Sequence, residues 1–191
     1  MPDRLVGACT TAEEALRHCR DQQPSLLITT QLLEQGSGLD LVVQAKQLCP
    51  ELRTLLFLQH SHRPLLIQAV QTHSDGIVLE SAVGSGHVMA AIRTVSKGGV
   101  YLEPEIAQQL HGSVQSRDPG LNPRELTMMG LVACGLNDRE IGLALHLATD
   151  TVKYHLKQVY LKLGVHNRTR AAISLVLMGL VSPPQPLLPQ N

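Results

Sequence analysis

Five basic residues, Lys153, Lys157, Lys162, Arg168 and Arg170, fall between Thr151 and Arg170, a stretch that holds no Asp or Glu. Unopposed positive charge at this density selects a polyanion. Lys153, Tyr154, Lys157 and Gln158 carry groups suited to one: ammonium groups for phosphate or for guanine O6 and N7, and an amide and a phenol for hydrogen bonds. Val152, Leu156, Val159 and Leu163 recur at helical spacing and form one buried stripe, so the polar four turn away from it. This chemistry is recognition. No nucleophile, base and orienting group assemble into a catalytic set anywhere in the motifs of the chain, which is read as a non-enzyme.

The elements that must position this face are two short helices and the turn between them. Asn137 is an N-cap, and Glu140 three residues on closes a capping box ahead of Ile141, Ala144 and Leu145. At the second helix Ala148 stands where Ser or Thr is expected, so the capping role is assigned to Thr149 or Asp150. A preceding helix opens on Asn122, Pro123 and Glu125 and closes at Gly135. A basic amphipathic helix alone is as often a solvated face over a core, but two capped helices at this spacing favour a nucleic-acid reader.

Leu121-Asn-Pro-Arg-Glu125, Gly135-Leu-Asn137, Glu140-Ile141, Thr151-Val-Lys-Tyr-His155, Leu161-Lys-Leu-Gly-Val165 and Asn167-Arg-Thr-Arg-Ala171 together resemble the LuxR/NarL-type helix-turn-helix domain. The resemblance implies four helices, the third, about Asp150 to Leu163, entering the major groove, and the fourth, from Thr169 onward, supporting a dimer on double-stranded DNA. The residues assigned to DNA are Asn137, Thr149, Thr151, Lys153, Tyr154, Lys157, Gln158 and Arg168. Lys153, Tyr154 and Lys157 match the groove-facing positions; Tyr154 departs from the small or aliphatic residue often found there.

The chain has 191 residues, 43% hydrophobic and 17% charged, a composition that fits two globular domains. Its zero net charge hides an asymmetry: residues 121–191 hold seven Lys or Arg against four Asp or Glu, and residues 1–120 hold nine against twelve. A basic reader follows an acidic module. No apolar run is long enough to span a bilayer, and Met1-Pro-Asp-Arg4 leads into a strand-like segment instead of a signal peptide, so no membrane partner and a cytoplasmic location are expected. Cys9, Cys19, Cys49 and Cys134 form no CxxC pair, and His60, His62 and His73 lack carboxylate or thiolate companions, so neither a metal nor a cofactor is expected. Gly36-Ser-Gly38 and Gly84-Ser-Gly86 lack the spacing of phosphate loops and read as turns.

From the N-terminus, strand and helix alternate: strands over Leu5–Thr10, Ser25–Thr30, Thr54–Gln59 and Gly76–Leu79, helices over Thr11–Arg20, Leu39–Leu48, Pro64–Thr72 and His87–Ser96. The alternation predicts an α/β domain on a parallel sheet. Pro24-Ser-Leu-Leu-Ile-Thr-Thr30, Gly38-Leu-Asp-Leu41, Arg53-Thr-Leu-Leu-Phe57, Asp75-Gly-Ile-Val-Leu79 and Gly98-Gly-Val-Tyr-Leu102 resemble the flavodoxin-like receiver domain of NarL-type response regulators. In that register the phosphoryl-accepting Asp falls at Thr30, the switch Ser or Thr at Leu58 and the phosphate-pairing Lys at Glu80. Phosphoryl transfer needs a carboxylate nucleophile, oxygen ligands for magnesium and a cation, and all three positions have lost their function: Thr30 cannot supply an acyl phosphate, and Glu80 would repel one. Thr30 itself is expected to be a buried strand-end residue. Arg4–Glu13 resembles a receiver's second strand, so the first strand and its acidic pair are expected to be missing. The open sheet position would then be closed by direct strand pairing, filled by a dimer partner or left as an exposed edge.

The expected organisation is a degenerate, incomplete receiver-like domain over 1–110, a linker over 111–120, an all-α helix-turn-helix domain over 121–181 and a mobile tail over 182–191. A short helix, Glu105–Leu110, leads into the linker. Ile173, Leu177 and Leu180 recur at helical spacing on the last helix, with Val176 and Val181 beside them; some of that surface must be domain core, and the excess suits the dimer helix that the resemblance implies. The function expected is a dimeric, sequence-specific transcription regulator that works without aspartyl phosphorylation, with a regulatory protein or ligand engaging the receiver-like domain. The alternative is a protein-interaction module with vestigial DNA binding.

Overall fold

The computed structural model describes residues 5–110 and 119–181. Most of the expected linker, the expected tail and the first four residues lie outside the described residues. The α/β half runs α1 (Ala12–Gln22), β1 (Leu26–Thr30), α2 (Gly38–Leu48), β2 (Arg53–Leu58), α3 (Arg63–Gln71), β3 (Gly76–Leu79), α4 (His87–Ser96), β4 (Tyr101–Leu102) and α5 (Pro104–Leu110). The four strands pair in parallel in the order β1-β2-β3-β4.

Alternation along the strands sends residues to both faces of the sheet. Leu55, Val78 and Tyr101 pack with Ala91 and Val95 of α4 on one side. Leu56, Ile77 and Leu102 join a larger core that continues through Ile106 and Leu110 of α5. Both faces are covered, which is why these strands read as unbroken apolar runs.

Three expectations change. Leu5–Thr10 is not a strand, and Leu5 is 81% exposed. A strand needs a ladder, and this segment is held instead by the loop after β1: Glu34 N donates to Thr10 O, Ala12 N to Gln35 O, and Thr10 Oγ1 to Glu34 Oε2. Among the described residues β1 is therefore an edge strand, with Ile28 49% exposed. Thr30 is exposed, not buried; the neighbouring Thr29 is the buried one. Finally, Tyr101–Leu102 pairs with Gly76–Ile77 as an additional strand at the far edge.

The helical half comprises α6 (Pro123–Ala133), α7 (Asp138–Leu145), α8 (Thr149–Leu163) and α9 (Arg168–Leu177). Its core, including Met128, Met129, Ile141, Val159 and Ile173, is continuous with the core beneath the sheet. Ile173, Val176, Leu177 and Val181 are buried there as the core share of the last-helix surface, and Leu180 is exposed.

A polar contact and a backbone contact help to tie the halves together. The buried Asp75 carboxylate accepts from Lys46 Nζ at 2.6 Å, from Thr54 N at 2.9 Å and, 94 residues away in sequence, from Thr169 Oγ1 on α9 at 2.8 Å. Gly99 lies so near Gly135 that a Cβ on Gly99 would stand 1.9 Å from Gly135 Cα.

Candidate nucleic-acid interface

The helix-turn-helix is built from local signals. Asn122 and Glu125 form a capping box at α6, and Asn137 and Glu140 form another at α7, where Asn137 Oδ1 accepts from Glu140 N at 3.0 Å and Glu140 Oε2 from Asn137 N at 2.8 Å. α7 ends on His146 in the left-handed region, and Leu147 N then donates to Gly142 O at 2.8 Å. The turn lies so close that a Cβ on Gly142 would approach Leu147 O to 2.6 Å, so position 142 admits no side chain.

Neither Thr149 nor Asp150 caps α8. Ala148 is the N-cap residue and gives no side-chain hydrogen bond, because the chain leaves the turn extended at Ala148 and Thr149 is already the first helical residue. Asp150 instead contributes negative charge to the first turn of α8, where the helix dipole favours it.

Val152, Leu156 and Val159 are buried, as their spacing requires. Lys153, Tyr154 and Lys157 are exposed on the other side, with Tyr154 62% accessible and its ring edge-on to His155. Gln158, Thr149 and Thr151 are half-buried. The structure thus brings Lys153, Tyr154 and Lys157 into one exposed band, with the other three at its margin.

Asn137 is exposed but its side chain is engaged as a cap. Arg168 is more deeply committed. Its side chain is 17% exposed, pairs with Asp138 at 2.6 Å and donates to Leu136 O, holding the start of α9 to the start of α7. Lys162 is likewise engaged, binding both carboxylate oxygens of Glu125 at 2.8 and 2.7 Å. Burial pushes the Glu125 carboxyl up, but the hydrogen bond from Lys162, the backbone of Asn122 and the Lys162 charge outweigh it and hold the group below its ordinary value. Two of the five cations counted in the sequence therefore belong to the fold. Their partners, Asp138 and Glu125, lie outside the Thr151–Arg170 stretch, so counting charges within it did not reveal them.

In the other half, Thr30, Leu58 and Glu80 come together at the carboxyl ends of three adjacent strands, since Thr30 pairs with Phe57 and Leu58 with Leu79. Thr30 Oγ1 donates to Leu32 O at 2.7 Å, Leu58 is fully buried, and Glu80 begins a short 3-10 turn. A hydroxyl, an alkyl group and one carboxylate do not make the oxygen-rich set that a magnesium ion requires, so the receiver's metal does not fit here.

Sequence reasoning missed Arg53, Lys97 and Gly98, which stand across a cleft from Lys153, Lys157 and Arg168. They are separated from α8 by more than fifty residues, and no local signal links them.

Residues 119–175 match the family described as GerE, bacterial regulatory proteins, luxR family. Along most of its length the chain is 26% identical to the response regulator protein VraR of Staphylococcus aureus, over 88% of this chain and 82% of that protein. It is also 26% identical to the DNA-binding transcriptional activator DevR/DosR of Mycobacterium tuberculosis, over 94% and 85%. Among solved structures, the RcsB response regulator of Salmonella typhimurium aligns with 21% identity and a TM-score of 0.49, covering 87% of this chain and 82% of that one. The two-component response regulator RcsB-DNA complex aligns with 23% identity and a TM-score of 0.46, over 86% and 81%. Residues 119–175, which include the exposed α8 band, thus form a luxR-family helix-turn-helix domain, in a chain similar along most of its length to response regulators of the LuxR/NarL type.

Proposed function

We propose that the chain is a sequence-specific DNA-binding transcription regulator that acts as a homodimer and takes its input without aspartyl phosphorylation. The observation that carries the reading is the exposed band of Lys153, Tyr154 and Lys157 on the second helix of a luxR-family helix-turn-helix. Lysine ammonium groups on such a helix reach guanine edges or phosphates, and Tyr154 adds a hydroxyl and an apolar ring. Thr149, Thr151 and Gln158 flank the band and would add hydrogen bonds to the backbone, which fix register on the duplex. Asn137 and Arg168 act by holding the helices in place.

Thr30, Leu58 and Glu80 support the second part of the reading. An acyl phosphate cannot form on a threonine, and Glu80 would repel a phosphate brought near it. The chain divides for this purpose into a receiver-like domain to residue 110, a linker to 120 and a DNA-binding domain over 121–181, working in the cytoplasm beside the chromosome. A relative described as a DNA-binding transcriptional activator supports the reading across nearly the whole chain.

The test is selection from random duplex DNA on the full chain, with molar mass followed by light scattering. A regulator enriches a two-fold related site, binds it as a dimer, and prefers it to random duplex by about a thousandfold or more. Enrichment of no sequence, with salt-sensitive binding alone, would remove the reading and favour a protein-interaction module.

A further inference from the structure

The receiver-like domain and the helix-turn-helix enclose an open cleft of about 410 Å³. Arg53, at the start of β2, and Lys97, just after α4, line one side; Lys153, Lys157 and Arg168 line the other. The Arg53 guanidinium lies against Gly98, beside Lys97, since a Cβ on Gly98 would stand 3.2 Å from Arg53 Nη2. Five cations thus share one space with a single carboxylate, Asp138, and that carboxylate is engaged by Arg168.

The compensation available is small. Arg53 approaches Asp75 at 3.6 Å, but Asp75 already accepts from Lys46, Thr54 and Thr169. Among the described residues Lys153 reaches only Asp150, at 3.6 Å, with both side chains exposed. Lys97 and Lys157 have no ion-pair partner among the described residues. Like charges from two domains therefore face a common volume, and they are held there by the shared apolar core and the Asp75–Thr169 contact. Such an arrangement is completed by an anion that both sides can touch.

We propose that the cleft binds a small polyanion, a molecule with two or more phosphate groups, and that this ligand opposes DNA binding by holding the domains together over Lys153 and Lys157. The volume falls within the range of small-molecule pockets, about 300 to 1,000 Å³. A space of about 410 Å³ is too small to take in a segment of duplex DNA. Leu156 and Tyr160 also line the cleft and offer apolar surface to an organic group on the phosphates. Because the ligand would use cations from both domains, separating them breaks its site; because the duplex would use two of the same cations, each ligand weakens the other. The coupling to DNA rests on the regulator reading above, whereas binding of the anion does not.

Titration calorimetry of the full chain with sodium tripolyphosphate, at fixed ionic strength, tests the site directly. One anion per chain is expected, with affinity at least tenfold weaker in Lys97→Glu and weaker by a smaller factor in Lys97→Ala. Lys97 is exposed and lies off the DNA-facing band, so circular dichroism and duplex affinity should be unchanged in both variants. Saturating tripolyphosphate should weaken duplex binding at least tenfold in the wild type, beyond an ionic-strength control, and much less in Lys97→Glu. Absence of binding, or equal affinity in all three proteins, overturns the proposal, the latter by showing that the anion merely mimics duplex phosphates on α8. Tripolyphosphate binding that depends on Lys97 in a chain that binds no duplex would uphold the site and overturn the regulator reading alone.

Discussion

At the carboxyl end of the sheet and on α8, the same chain presents two surfaces whose frames are equally well built. Leu55, Leu56, Ile77 and Val78 bury both faces of the sheet, just as Val152, Leu156 and Val159 bury one face of α8. The difference lies in the few residues the frames display. α8 shows Lys153, Tyr154 and Lys157 to solvent, while the sheet end carries an exposed Thr30, a buried Leu58 and a half-buried Glu80, none of them an aspartate or a lysine. Burial of apolar side chains fixes where an element lies, and the exposed residues at its end contribute little to that burial. A domain can therefore lose its chemistry at small cost to its fold.

The largest effect that would break this comparison concerns the frame of the receiver-like half. Asp75→Ala leaves the Lys46 ammonium, 19% exposed, without its partner and removes the acceptor for Thr54 and Thr169. A loss of about 3 to 5 kcal/mol is expected, measured by urea denaturation. A loss below about 1 kcal/mol, the worth of one ordinary hydrogen bond, would show that the two halves do not depend on this carboxylate.

Next in size are the lysines on the display side. Lys153→Ala and Lys157→Ala should each cost about 1 to 3 kcal/mol of DNA affinity if they read a base, or lower the salt slope by about one if they meet phosphate. Fluorescence anisotropy across a salt series separates the two. Thermal stability should hardly move, and a variant that loses stability instead of affinity would place its lysine in the frame.

Lys162→Ala sharpens the comparison by testing a cation that belongs to the fold. Lys162 is 37% exposed, so solvent screens part of the pair, and a cost of about 1 kcal/mol is expected at neutral pH. Glu125 has a depressed pKa when folded, so the stability it contributes is present above the ordinary glutamate value and lost as pH falls through the folded one. Melting temperature against pH should show that acid loss in the wild type and a flatter profile in Lys162→Ala. Identical profiles would mean the pair contributes nothing. The smallest expected effect is none at all: acetyl phosphate with magnesium should alter neither the mass of the protein nor its DNA affinity, and a gain in binding would restore a working receiver.

Much of this was legible because the signals are local. Asn122 with Glu125, and Asn137 with Glu140, mark helix starts through residues three apart, and the runs around Leu27 and Leu55 mark strands. The failures share a cause in contacts that no short window contains. Leu5–Thr10 has strand-like residues but no ladder to join. Tyr101–Leu102 is too short to show a period, yet β3 offers it a free edge. Thr149 and Asp150 lost their expected capping role to Ala148 because the turn geometry, set by His146 and Gly142, decides where α8 begins. The regulator's basic face was visible, whereas Arg53 and Lys97 opposite it were not, since only the docking of the two halves brings them there.

That docking includes a place where main chain meets main chain. Gly99 meets the backbone of Gly135, and the Thr94 side chain lies beside it, so a side chain added at either glycine has only one direction in which to go: outward. A single methyl at position 99 would act as a shim, pushing one half off the other without altering a charge or a side chain of α8. The spacing of the halves is thus adjustable separately from what either half recognises.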